Sequence, residues 1–405
     1  MRAYLLICIT LILLSCSPKS PLILASDYYR VVLELEDSEE LPFVIHVASK
    51  DTIKVINAEE EILVHEIDYR NDSIFIQMPF FESLIAAKIN EIGFKGFFIQ
   101  ESLERAIPIK AERGIKERFT LKRKSRPIDV SGTWEVRFSG GSDDKVYMGK
   151  GIFEQSGNHL TGTLRTSTGD YRYLEGVIDG SIFKLSVFDG ARALMFKAEG
   201  TDSILNGTFY VGNHHKKKFV AKRSTSYTLP NQEHLTYLKK GYSSLAFSFP
   251  DENGNLISLE DKRFKNKVSI VQIMGSWCPN CLDESRYFAR YMQDHKDKDV
   301  AFVGLAFEVA KTPEKAFQRI QRLKDGIGIR YPILLAQYGG SDKVLAQEKL
   351  PMLNHVLSYP TTIFIDKKGK VRKIHTGFNG PATGKKYLDF QYQFEHFVDL
   401  LLMEE

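Results

Sequence analysis

The chain has 405 residues, of which 43% are hydrophobic and 26% charged, with a formal net charge of +4. This length excludes a single small domain and suits about two or three, while the ordinary composition excludes a disordered or many-times membrane-spanning chain. The small net charge points to no nucleic-acid partner, and the basic clusters Arg118 to Arg126 and His214 to Lys218 read as solvated loop or linker.

The first 16 residues stand apart. Arg2 supplies a positive start, Ala3 to Leu14 form an apolar run, and Leu13-Leu14-Ser15-Cys16 follows. The run is shorter than the ~20 residues of a membrane-spanning helix and reads as an export signal. Its ending resembles a bacterial lipobox, which implies cleavage before Cys16, lipidation of Cys16 and a membrane-anchored protein facing the periplasm. An ordinary cleaved signal or an uncleaved anchor is the other reading. With a lipobox, Cys8 leaves with the signal and Cys16 is capped. Cys278 and Cys281 are then the remaining thiols, which leaves no cysteines for structural disulfides or a four-thiolate zinc site.

Residues 17–26 read as a tether, and residues 27–226 as an all-β region, a sandwich or barrel. Its short alternating segments include Tyr29–Leu35, Phe43–Ala48, Ser73–Met78, Lys95–Gln100, Thr133–Phe138 and Ile182–Val187. Turn clusters such as Gly140-Gly141-Ser142-Asp143, Ser156-Gly157-Asn158 and Ser167-Thr168-Gly169-Asp170 punctuate them. A compositional break near 118–130 either divides the region into two subdomains or is a long loop. Asp129 to Val136 resembles the opening strand of lipocalin-like barrels. No catalytic constellation is visible here: Glu59-Glu60-Glu61 and Asp143-Asp144 read as turns and runs.

Residues 227–244 read as a polar connector with a short helix near Gln232–Lys239. Residues 245–405 change period. Lys267 to Met274 is a nearly continuous apolar strand, and Trp277-Cys278-Pro279-Asn280-Cys281 stands directly at its end. Cys281 to His295 has a helical face, Val300–Phe307 is a strand, and Pro313 opens a second helix. Pro332–Ala336 and Thr361–Asp366 are further strands, Asp366 to Gly369 turns into Lys370–His375, and a last helix spans about Gly384–Met403. The alternation predicts an α/β domain with a central mixed sheet and helices on both faces.

A thiolate is the attacking species in thiol–disulfide exchange, so such a site has to favour it. A cysteine where a strand ends and a helix starts meets unsatisfied backbone N–H groups and the positive end of the helix dipole. Pro279 is compatible with a first helical position. Cys278 is therefore the expected nucleophile, and Cys281, one turn on, the resolving thiol.

Phe249-Pro250-Asp251, Gly254, Ser258-Leu259 and then Gly275-Ser276-Trp277-Cys278-Pro279-Asn280-Cys281 resemble the TlpA/ResA-like thioredoxin-fold family of exported disulfide reductases. Ser358-Tyr359-Pro360-Thr361-Thr362 resembles that family's second signature. The likeness covers roughly Ser244 to Glu405. It implies a redox-active Cys278–Cys281 disulfide, a cis Pro360 facing the pair, a substrate-contacting Tyr359 backbone and Trp277 packed beside the pair. Glu284 then matches a buried glutamate that adjusts cysteine acidity and relays protons. The likeness implies no cofactor. The expected partners are disulfide-containing exported proteins or apocytochromes as substrates, and a membrane thiol donor as reductant. Two positions depart from the pattern: Ser285-Arg286 replaces a proline that often follows the glutamate, and Gln272 stands where thioredoxin has a buried aspartate.

Other readings compete. With His355 as a third ligand, the pair would suit a copper- or metal-delivery module, although relatives of that kind usually have three residues between their cysteines. His375 and His214-His215 are further potential metal ligands. A peroxidase would need a Thr/Cys/Arg constellation that is not visible. The β region could instead be the functional core, binding a ligand or partner, with the redox domain as accessory.

Overall fold

Apolar and polar residues alternate along the N-terminal strands, and the pleat turns this period of two into two faces. In strand Thr52–Asn57, Ile53, Val55 and Asn57 are buried while Thr52, Lys54 and Ile56 are only half-buried. The computed structural model describes residues 21–122, 126–141 and 145–404. The export signal with Cys8 and Cys16, residues 17–20 of the expected tether and the Ser142–Asp144 segment lie outside the described residues. Leu24 packs into the core of the first sheet.

That sheet has nine antiparallel strands between Asp27 and Arg113. Its outermost strands, Glu60–Val64 and Ile67–Arg70, are neighbours in the chain. The short link between them forces the sheet to curl until its ends approach, giving a barrel-like form. The second sheet runs from Gly132 to Arg223 and closes fully. Strand Gly132–Gly141 pairs with both Tyr147–Ser156 and His215–Arg223, and Tyr147–Ser156 pairs in turn with His159–Thr166. Closure leaves this barrel without an open edge. Its interior is packed by Trp134, Phe138, Phe183, Phe196 and Phe209, with the Trp134 indole N–H donating to the Val130 carbonyl at 2.9 Å. The segment resembling a lipocalin strand is thus the barrel's first strand, and rings fill the space a ligand would need.

The two basic clusters are not simply solvated. Arg118 is 5% exposed. Its guanidinium donates to Asn57 Oδ1 and to Glu175 Oε2, each at 3.0 Å, stitching the first sheet to the barrel. In the second cluster, Lys217 is buried within strand His215–Arg223, with its ammonium over the Tyr147 ring. The connector forms only a 3-10 turn, Gln232–His234, rather than the expected helix. Tertiary bonds fix it instead: Gln232 Nε2 donates to the Thr376 carbonyl at 3.0 Å and Asn379 Nδ2 donates to Gln232 Oε1 at 2.9 Å.

The C-terminal domain is built on a five-stranded sheet. Its order is Ile333–Gln337, Val300–Phe307, Val268–Met274, Thr361–Ile365, Val371–Thr376. The first three strands are parallel and the last two antiparallel. Every residue of Val268–Met274 is buried, as befits the central strand. Four helices accompany the sheet: α1 (Pro279–Asp294), α2 (Pro313–Ile327), α3 (Lys343–Lys349) and α4 (Lys385–Met403). Tyr287, Phe288 and Tyr291 of α1 pack against Phe394 of α4 with ring centroids 5.1–5.3 Å apart.

The β region docks onto the start of α1. The turn Ser167–Asp170 reaches the C-terminal domain, and Gly169 forms a bridge with Phe378. A Cβ on Gly169 would lie 2.3 Å from Asn280 Nδ2, so only glycine permits this approach. Beside the turn, the buried Arg172 guanidinium binds Asp283 of α1 at 2.5 Å and Glu60 of the first sheet. Burial opposes the Arg172 charge, but Asp283 and Glu60 outweigh it and raise its pKa well above the ordinary value. Removing only one member of such a buried group strands the others. Arg172→Met is therefore expected to destabilise the protein by about 3–5 kcal/mol. Arg172→Met with Glu60→Leu and Asp283→Leu should recover most of that loss; urea unfolding of the two variants beside the wild type is the check.

Candidate active site

Cys278 stands at the junction the sequence predicts. The central strand ends at Met274, and the Cys278 N–H bonds back to the Gly275 carbonyl at 3.1 Å. Gly275 is required by a close approach, since a Cβ there would lie 2.3 Å from the Trp277 indole nitrogen. Cys278 is the N-cap of α1 and Pro279 opens the helix. The Cys281 N–H donates to Cys278 Sγ at 3.2 Å, which satisfies one orphan donor of the helix start with sulfur. The Cys278 thiol in turn points at the Tyr359 carbonyl, 3.4 Å away.

Both cysteines are free thiols, Cys278 6% exposed and Cys281 fully buried. Burial first, then the Cys278 sulfur and the nearby Glu284, push the Cys281 thiol well up. The Tyr359–Pro360 peptide is cis. The Tyr359 ring meets Trp277 edge-on at 5.6 Å, and the Trp277 indole N–H donates to the Phe307 carbonyl at 2.9 Å. Cys278, Cys281, Trp277, Pro279, Asn280, Tyr359 and Pro360 thus belong to one assembly.

Glu284 lies behind the pair on α1, fully buried. Gln272 Nε2 donates to its Oε2 at 2.8 Å and Thr362 Oγ1 donates to its Oε1 at 2.7 Å. Burial pushes its pKa up to about 8 against the pull of those two bonds. Gln272 also accepts from Ser285 Oγ at 3.0 Å and from Tyr331 at 3.4 Å. The amide that replaces an acid here orients the buried Glu284 carboxyl.

Several site residues escape a reading of the sequence. Glu308 takes both the N–H and the hydroxyl of Ser276 at 2.7 Å, fixing the loop before Trp277. Asn280, between the two cysteines, is held by both the β region and its own domain. Its Nδ2 donates to the Asp170 carbonyl at 3.2 Å and the Phe378 carbonyl at 3.1 Å, and its Oδ1 accepts from Arg192 at 3.3 Å. A cavity of about 440 Å³ opens over Cys278, walled by the redox domain and by both β sheets. Among the described residues, no three His, Cys, Asp or Glu side chains converge as metal ligands. His355 therefore does not complete a ligand set with the pair. His375 is buried in the domain, its pKa pushed down to about 3 by burial.

Residues 239–388 match the Redoxin family model. The thioredoxin-like protein YneN of Bacillus subtilis is 27% identical over 140 residues, 35% of this chain and 73% of that protein. The thiol-disulfide oxidoreductase ResA of Halalkalibacterium halodurans is 26% identical over 139 residues, 34% of this chain and 69% of that protein. A solved thiol-disulfide oxidoreductase from Bacteroides fragilis aligns with 37% of this chain and 99% of its own, at 21% identity and a TM-score of 0.28. Residues 239–388 thus form a Redoxin-type, thioredoxin-like domain whose sequence is similar to the ResA and YneN proteins.

Proposed function

We propose that the protein is a membrane-anchored disulfide reductase of the periplasm, held by lipid on Cys16, that acts on exported proteins through Cys278 and Cys281. The observation that carries this reading is the position of Cys278 Sγ at the start of α1, accepting the Cys281 N–H. The Cys278 thiolate attacks one sulfur of a substrate disulfide, forms a mixed disulfide and expels the other sulfur as a thiolate. Cys281, one turn behind, gives up its proton and attacks Cys278 Sγ, releasing the second substrate thiol. The substrate gains two electrons and the pair closes as a disulfide. A membrane dithiol donor then returns it to the reduced form. Tyr359 and Pro360 form the wall beside the attacking sulfur, Trp277 packs against Tyr359, and Glu284 is the buried group placed to hold the Cys281 proton.

Reduction of oxidised glutathione by the soluble chain, with dithiothreitol as the donor, tests the reading. Cys278→Ser should fall to the uncatalysed rate, whereas reduced Cys281→Ser, freed of donor and then given oxidised glutathione, should accumulate a mixed disulfide on Cys278 visible by mass spectrometry. Equal rates for wild type and Cys278→Ser would sink the proposal.

Glu284 gives a second check. Its folded pKa of about 8 lies above its ordinary 4.5, so the folded state binds the extra proton between those values. The associated stability is complete below pH 4.5 and is lost as pH rises through 8. Glu284→Gln should remove a fall in unfolding free energy on the order of 4 kcal/mol across that window, read by urea unfolding at a series of pH values.

A further inference from the structure

The cavity above Cys278 is made by the β region as much as by the redox domain. Phe81, Phe98 and Leu103 of the first sheet give it an apolar side. Three cationic side chains line it: Arg105 from the first sheet, Arg192 from the barrel and Lys343 from α3. Arg105 has no carboxylate within ion-pair distance among the described residues, and burial alone pulls its pKa down. Lys343 reaches the Leu357 carbonyl and lies in the field of Cys278. Arg192 is paired with Asp189. The lining carboxyls do not balance these charges. Glu82 is paired with Arg319. Asp170 is buried, accepts from the Gly380 and Arg172 N–H groups, and has its pKa raised by burial. The cavity therefore carries excess positive charge beside an apolar wall.

Access is narrow as well. Cys278 is 6% exposed. The β region walls the cavity over the sulfur and is held there in part by the Arg172 contacts with Glu60 and Asp283, so an extended chain fits this approach better than the broad face of a folded protein.

We propose that this inter-domain cavity selects short, extended, acidic peptidyl disulfides, with substrate carboxylates drawn to Arg105 and Lys343 while the disulfide meets Cys278. The inference rests on the proposed reductase reading and narrows its substrate class. The same chemistry has two sources, a free disulfide of tripeptide size or an extended segment of an unfolded exported chain. The exchange itself is unchanged: Cys278 bonds one substrate sulfur as the substrate S–S bond breaks, Cys281 closes on Cys278, and two thiols leave carrying the electrons of the pair. A dithiol restores the pair.

The experiment compares kcat/KM of the soluble full chain for four substrates, with dithiothreitol as donor. They are oxidised glutathione, a disulfide-linked dimer of an acidic pentapeptide, neutral hydroxyethyl disulfide and folded insulin. The acidic substrates should be preferred over the neutral one, and insulin should be poor. In Arg105→Gln with Lys343→Gln, the acidic-to-neutral ratio should drop roughly tenfold or more, through KM. Arg105→Lys should keep the ratio, and 0.5 M salt should erode it in the wild type, which tests the charge even where the double variant fails to fold. Glutathione outrunning the pentapeptide assigns the free small disulfide, and the reverse assigns a chain segment. No charge preference, or insulin reduced as fast as the peptides, overturns the inference while leaving the reductase reading intact. Failure to reduce any of the four would instead remove the reductase reading itself.

Discussion

The contact at which all three parts of the molecule meet is a buried cation. Arg172 lies on the barrel, yet its guanidinium is shared between Glu60 of the first sheet and Asp283 of the redox helix. A charge removed from water is tolerated only where opposite charges and hydrogen bonds surround it. These contacts are directional, so they select a single placement of the β region over the start of α1. The cavity over Cys278 and the anchoring of Asn280 from the β region go with that placement.

Within the redox domain, two kinds of burial act in opposite senses on neighbouring groups. At the helix start, sulfur meets a backbone N–H that would otherwise lack a partner. Behind it, Glu284 and Cys281 lie where water is excluded, and desolvation favours their neutral forms. These environments follow one another along the first two turns of α1, from Cys278 to Glu284. Gln272 contributes by geometry alone, because its amide bonds the Glu284 carboxyl without competing for a proton.

The local geometry of the candidate site was legible in the sequence because its parts are close together in the chain. A strand, a Cys-Pro-Asn-Cys segment and a helical period follow one another, and Tyr359-Pro360 is a compact second mark. The role of the β region was not legible. Arg172 meets Asp283 and Glu60 across 111 and 112 residues of chain, and no periodicity records such a meeting. Glu60 sits in an acidic run that looks like a turn but opens strand Glu60–Val64. Arg118 sits in a basic run that looks solvated, yet its partners are Asn57 and Glu175. Composition reports the usual fate of such clusters, whereas these particular side chains are placed by tertiary pairing. The turn Ser167–Asp170 was visible as a turn, but what it touches lies in another domain.

The place of Asn280 has a consequence for how this site can vary. The two residues between the cysteines are the nearest in the chain to both sulfurs. Here the second of them is claimed by the turn Ser167–Asp170, by Phe378 and by Arg192. A substitution at this position therefore alters the immediate surroundings of the cysteines and loosens the roof above them in the same step.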